Sequence, residues 1–192
     1  MRNVPNILSL SRLVMSPVFV CLLLLPGFAS RLLALLVFLV AALTDWIDGR
    51  IARAYRARSR LGQFLDPLAD KILTLSALLC LPFVYPGRFP WWAVALLVGR
   101  DLWMTALRLW GEHRSQPIRT SELARWKTAL QMLFLGYVLT WLALYEHPAW
   151  RETARFWLQH ELTSWGLAAL VGLSLWTALD YSWAWFREAT AR

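Results

Sequence analysis

Arg31 to Arg53 reads Arg-Leu-Leu-Ala-Leu-Leu-Val-Phe-Leu-Val-Ala-Ala-Leu-Thr-Asp-Trp-Ile-Asp-Gly-Arg-Ile-Ala-Arg. The run from Leu32 to Leu43 has no polar interruption, and two aspartates follow it almost at once. A helix on the surface of a soluble protein would show an apolar stripe, not a solid block. A bilayer core about 30 Å thick needs about 20 residues of helix, so residues 31–53 fit a membrane span with a polar end.

Similar blocks recur along the chain, at Leu10–Phe28, Ile72–Tyr85, Trp91–Val98, Leu130–Tyr145 and Leu167–Leu179. With polar ends allowed, they predict spans at 10–28, 31–53, 63–85, 90–111, 124–146 and 162–186. Over 192 residues, 58% are hydrophobic and the mean hydropathy is +0.45, which excludes a soluble helical protein. Residues 2–9 are too polar to span and too apolar for a free tail, so an interfacial helix is expected there, with Pro5 in its first turn. The expected fold is therefore all-α: a polytopic membrane protein of six transmembrane helices plus an N-terminal interfacial helix, with residues 1–192 forming one domain.

Punctuation agrees with these boundaries. Pro26-Gly27 closes the first span, Tyr85-Pro86-Gly87-Arg88 the third and Glu146-His147-Pro148 the fifth. Residues 112–123 read as a basic loop and 147–161 as a longer loop on the opposite face. Trp91, Trp92, Trp141, Trp150, Trp157 and Trp165 lie near span ends, as in an aromatic belt. Cys21 and Cys80 fall in apolar runs and read as small buried hydrophobes, without a disulfide or zinc pattern. No cleavable signal follows the first apolar run.

Charge sets the orientation. With the N-terminus inside, sixteen of the twenty Lys and Arg residues fall on the cytoplasmic face, leaving Arg31, Arg88, Arg151 and Arg155 outside. Both termini are then cytoplasmic. The net charge of +8 is interleaved with spans, so it suits a membrane surface and phosphate groups, and no nucleic acid is expected as a partner.

Acids inside spans are costly and usually functional. Asp45 and Asp48, three apart, share one face near the end of the second span, and Asp66 and Asp70, four apart, share a face of the third. A short Arg-rich loop makes these spans antiparallel neighbours, so the two faces can converge. Asp70 sits about 12 Å along the helix from Gly62, deep enough to lose water yet close to the cytoplasmic boundary. Four carboxylates in one pocket cannot all stay ionised without compensation. Two divalent cations, Mg²⁺ or Mn²⁺, would balance them, and a paired-metal site clamps the attacking and leaving oxygens of a displacement at phosphorus. Ion pairing with the nearby arginines would account for one such acid but not for four. Gly49, Ala52 and Gly62 leave room for a flat ligand, and Arg53 can grip a pyrophosphate oxygen.

The string Asp45-x2-Asp48-Gly49-x2-Ala52-Arg53-x8-Gly62-x3-Asp66-x3-Asp70 resembles, without gap or substitution, the signature of the CDP-alcohol phosphatidyltransferase family. Eight fixed positions arise by accident at one place with odds on the order of one in 10⁹. The resemblance implies transfer of a phosphatidyl group from CDP-diacylglycerol to an alcohol, with release of CMP. It implies that Asp45, Asp48, Asp66 and Asp70 bind two divalent ions and that Asp70 is the general base. It places Gly49, Ala52, Arg53 and Gly62 in the cytidine-diphosphate pocket. A homodimer in a bacterial-type inner membrane, with a cytoplasmic active site, is implied as well.

Further segments are similar to a bacterial branch of that family whose acceptor is glycerol 3-phosphate. They are Asn3 to Arg12, Thr44 to Gly49, Phe64 to Lys71, Arg100-Asp101 with Ala106-Leu107-Arg108, and Ser121 to Met132. Asp101 stands where Glu is usual and Ala124-Arg125 where Gly-Lys is usual. Independently of the resemblance, Arg100, Arg108, Arg125 and Lys127 gather cationic charge at the mouth of the site, which suits an acceptor phosphate. Inositol phosphate, phosphatidylglycerol and serine stay open as other acceptors. A divalent-cation transporter is the alternative of another class, but the second and third spans are apolar beyond the motif. Asp180 is a further acid in the sixth span and a candidate partner for an arginine of the pocket.

Overall fold

The computed structural model describes residues 4–55, 60–113 and 122–190. The side chains of 45–70, which carry the whole aspartate motif, lie outside the described residues, as do those of Arg108 and Arg125. Among the described residues the chain is all helix: α1 (Val4–Leu24), α2 (Phe28–Tyr55), α3 (Arg60–Val84), α4 (Trp91–His113), α5 (Glu122–Tyr145), α6 (Arg151–Gln159) and α7 (Glu161–Thr190).

The helices stop where the backbone requires it. Pro26 has no N–H to continue α1, and Gly27 takes φ +119°, a conformation that side chains oppose. Ser30 then donates from Oγ to the Gly27 carbonyl at 2.9 Å and anchors the start of α2. Gly87, at φ +87°, turns the chain between α3 and α4. The Pro90 carbonyl accepts from the Ala93 N–H at 3.0 Å to open α4.

α1 packs on both α2 and α3, α2 on α5, α4 on α3 and α7, and α5 on α6 and α7. A large core results, with a smaller second cluster of Met104, Leu107 and Tyr181. Phe19 and Leu23 of α1 meet Phe38 of α2, Leu78 and Leu81 of α3, Leu97 of α4, and Leu135, Leu139 and Leu142 of α5. Ala34, Ala41, Ala77 and Ala93 are buried among them and let the backbones approach. The perimeter is also apolar, with Leu133, Leu179, Trp176 and Phe83 all at least 65% exposed. Among the described residues, two helices are long and apolar enough to cross a membrane, over Trp126–Tyr145 and Glu161–Trp183, and a third of each apolar window is buried inside the bundle.

Three expectations need correction. The separate helix at residues 2–9 does not appear, because α1 runs unbroken from Val4 to Leu24. Ser9, Ser11 and Arg12 interrupt the apolar run but not a helical backbone, which satisfies its own hydrogen bonds. The loop at 147–161 contains a helix, α6, whose Ala154 and Leu158 are buried against the bundle. Of the two cysteines only Cys80 is buried; Cys21 lies on the exposed face of α1. Trp91, Trp92, Trp150 and Trp165 are exposed at helix ends, while Trp141 and Trp157 stack with centroids 5.8 Å apart.

The end of the bundle remote from the aspartate motif is held by polar ties. Arg31 at the start of α2 pairs with Glu146 after α5 at 2.8 Å, and Arg88 donates to the His160 carbonyl. Gly27→Ala should cost about 1–3 kcal/mol, the cost of a strained backbone conformation, read as a lower thermal midpoint in detergent. Gly172→Ala, in the interior of α7 with open space around it, should be neutral or slightly stabilising in the same measurement.

Candidate active site

Helix geometry places the four motif aspartates in two matched levels. Asp45 lies ten residues before Tyr55, the last residue of α2, and Asp70 lies ten residues after Arg60, the first of α3. Each is about 15 Å along its helix from the connection between them. Asp48 and Asp66 lie seven and six residues from the same ends. The intervals of three and four residues keep each pair on one helix face. Gly49, Ala52 and Arg53 follow on α2, and Gly62 precedes on α3.

Immediately after Asp70, the described side chains begin with Lys71, and with it a buried ion cluster. Its centre is Asp101 of α4. Lys127 of α5 donates to Asp101 Oδ1 at 2.6 Å, and Arg100 donates to the same oxygen at 2.9 Å. Gln131, one turn beyond Lys127, donates to Oδ2 at 3.3 Å. Lys71 Nζ donates to the Asp101 backbone carbonyl at 3.1 Å and lies 4.0 Å from Oδ1. The same carbonyl accepts from the Thr105 hydroxyl at 2.7 Å. From α7, Thr177 Oγ1 accepts from the other arm of Arg100 at 2.7 Å and returns its own proton to the Leu173 carbonyl at 2.9 Å. Four helices, α3, α4, α5 and α7, therefore contribute to one knot of polar side chains.

The charge count is lopsided. Lys71, Arg100 and Lys127 bring three positive charges to one carboxylate. The cationic nitrogens of Lys127 and Arg100, bound to one oxygen, are at most about 5.5 Å apart and repel each other by about 3 kcal/mol at an effective dielectric of 20. Only Asp101 offsets this among the described residues. Lys127 and Arg100 also have donors with no partner among the described residues. Lys127 is 1% exposed and gives one of its three N–H groups to Asp101, its partner among the described residues. Arg100 Nε is buried without a partner, and so are Gln131 Oε1 and Ser174 Oγ. Arg100 Nε, a buried donor, calls for an acceptor, and Gln131 Oε1, a buried acceptor, for a donor.

Of the residues expected at the acceptor phosphate, Arg100 and Lys127 come together in this cluster. Arg108, two turns beyond Arg100 on α4, and Arg125, two residues before Lys127 on α5, have side chains outside the described residues. Asp180 is exposed on α7 and makes no ion pair with a described residue. Asp101, Lys71, Gln131 and Thr177 were not expected in the site. Asp101 had a signal, since an acid in the middle of an apolar helix is costly wherever it occurs. Gln131 and Thr177 had none, because one polar residue in an apolar helix is unremarkable.

Residues 2–179 match the CDP-alcohol phosphatidyltransferase family. Over 184 residues, 93% of this chain and 92% of the other, the chain is 33% identical to a protein of Escherichia coli (strain K12) named CDP-diacylglycerol–glycerol-3-phosphate 3-phosphatidyltransferase. A protein of the same name from Shigella flexneri serotype 5b is similar at the same 33% identity, over the same 93% and 92% of the two chains.

Removing one partner of a buried ion pair leaves an uncompensated charge and costs about 3–5 kcal/mol. Asp101→Leu should therefore lower the thermal midpoint in detergent sharply. Asp101→Asn, which keeps one acceptor oxygen for the surrounding donors, should lower it less.

Proposed function

The chain belongs to the CDP-alcohol phosphatidyltransferase family and is a phosphatidyltransferase of phospholipid biosynthesis, and we propose that its acceptor is glycerol 3-phosphate. The products are phosphatidylglycerol phosphate and CMP. The observation that carries this is the cluster of Lys71, Arg100 and Lys127 on Asp101, in which Lys71 is the residue directly after Asp70. Three cations gathered on one described acid, with Arg100 Nε buried and unpartnered, suit an acceptor with its own phosphate. The names borne by the relatives support the same choice.

In this scheme the acceptor hydroxyl oxygen forms a bond to the phosphatidyl phosphorus while the bond from that phosphorus to the CMP oxygen breaks. Asp70 takes the hydroxyl proton as general base. Arg108, Arg125 and Lys127, with Arg100, hold the acceptor phosphate. Gly49, Ala52, Arg53 and Gly62 hold the cytidine diphosphate of CDP-diacylglycerol. The four aspartates, two on each helix at matched depths, are a hard oxygen donor set that fits two divalent cations, Mg²⁺ or Mn²⁺. When bound, these would neutralise charge on the pyrophosphate as CMP departs.

The membrane arrangement belongs to the same proposal. α1 to α5 and α7 form six spans, both termini and the motif face the cytoplasm of a bacterial-type inner membrane, and residues 1–192 act as one domain. α6 then lies on the outer side. The exposed apolar faces meet lipid and, in a homodimer, a second copy.

Three measurements test these statements. Protein in CDP-diacylglycerol micelles with Mg²⁺ should release CMP rapidly with glycerol 3-phosphate. It should do so slowly with glycerol, inositol phosphate or serine; a preference for inositol phosphate would change the product and leave the reaction class. Asp70→Asn should lower turnover by about 10²–10⁴ while CDP-diacylglycerol still binds. A cysteine at Thr153, with Cys21 and Cys80 replaced, should react with an impermeant thiol reagent only from the non-cytoplasmic side.

A further inference from the structure

Asp101 is not placed to take part in the chemistry. Its Oδ1 is held by two charged donors and its Oδ2 by Gln131, so the carboxylate is engaged on both oxygens. Its surroundings nevertheless have an orderly geometry. It draws one donor from Lys127 and one from Arg100, and leaves each cation with further donors and no described partner for them. Thr177 pins the second arm of Arg100 from α7, which stops the guanidinium from rotating about its bond to Asp101. Through its backbone carbonyl the same residue holds Lys71, the neighbour of Asp70 in the chain. One residue of α4 thus fixes two cations of the acceptor site and is tied to the helix that carries the base.

Without such an anchor, two like charges this close would separate. With it, they form a preset fork. A phosphate monoester presents three oxygens to donors in fixed directions, and a preset fork binds it without the entropy cost of ordering two long side chains.

Resting on the acceptor assignment above, we propose that Asp101 is a positioning residue for the acceptor. It holds Lys127 and Arg100 where they receive the phosphate of glycerol 3-phosphate. Thr177 assists by locking Arg100. Neither residue touches the reacting atoms. The effect of losing either should fall on acceptor binding and leave the CDP-diacylglycerol side alone.

The test is steady-state CMP release in CDP-diacylglycerol micelles, with wild type, Asp101→Asn, Asp101→Glu and Thr177→Val. Asp101→Asn should raise the KM for glycerol 3-phosphate at least tenfold, with kcat and the KM for CDP-diacylglycerol changed less than about threefold. Asp101→Glu keeps the charge and should return the acceptor KM to within a few fold of wild type. Thr177→Val keeps the shape, removes one anchor and should raise the acceptor KM by about 3- to 10-fold. It decides the matter if Asp101→Asn does not fold. Turnover of plain glycerol, which has no phosphate, should be insensitive to Thr177→Val. Equal losses with both substrates, or an unchanged acceptor KM in Asp101→Asn and Thr177→Val, would overturn the role of Asp101. A wild-type protein that ignores glycerol 3-phosphate would instead overturn the acceptor assignment, and the positioning role with it.

Discussion

Lys127 and Arg100 meet on one oxygen of Asp101, at 2.6 and 2.9 Å, inside a bundle whose interior and perimeter are both apolar. Such a medium gives no water to solvate a charge, so each cation that enters must bring its compensation with it. Asp101 supplies it for two cations and tethers a third through its carbonyl. The arrangement determines which helices can be neighbours: α4 must face α5 to deliver Asp101 to Lys127, and α7 must lie beside α4 to deliver Thr177 to Arg100. α3 must come close enough for Lys71 to reach the turn of α4 that holds Asp101. The polar knot and the helix order depend on each other.

The two ends of the bundle are built differently. At the far end, short turns at Gly27 and Gly87, the Arg31–Glu146 pair and the stacked Trp141 and Trp157 close the structure, with Arg31 Nε and Arg88 Nε the buried atoms left without a partner. At the motif end Lys71, Arg100 and Lys127 gather on Asp101, the one described acid among them, and Arg100 Nε is buried without a partner. A fold that only needed stability would do better with apolar side chains in place of the whole cluster. Retaining buried cations at a cost in stability fits an end that is completed by an anionic ligand, and the other end supplies the rigidity that this requires.

Much of the fold was legible in the sequence, for a physical reason. An apolar block long enough to span is nearly always a helix, and Pro-Gly pairs stop it, so α2, α3, α4, α5 and α7 begin and end within a few residues of the expected limits. The failures lie where polarity and backbone part company. Ser9 and Arg12 look like the end of an element, but the helix runs through them because its hydrogen bonds are internal. α6 was missed because nine residues with Arg151, Glu152 and Arg155 look like any polar loop. Its helix depends on burying Ala154 and Leu158 against the bundle, a tertiary contact that local pattern does not contain.

The site divides in the same way. The aspartates were legible because their spacing is a property of a single helix: three or four residues along α2 or α3 determine a shared face without knowledge of anything else. The acceptor cluster has no such local rule, since its contacts between helices join residues 26 to 77 positions apart and form only through the packing of α3, α4, α5 and α7. Charge balance could still have found its centre. Arg100 and Lys127 were expected to serve the acceptor, and two buried cations in apolar helices require an acid within reach. Asp101, adjacent to one of them, was the one acid available in α4 before its last turns. Asking of every intramembrane cation which carboxylate compensates it therefore recovers part of a tertiary site from sequence, because the cost of an unpaired charge does not depend on knowing the fold.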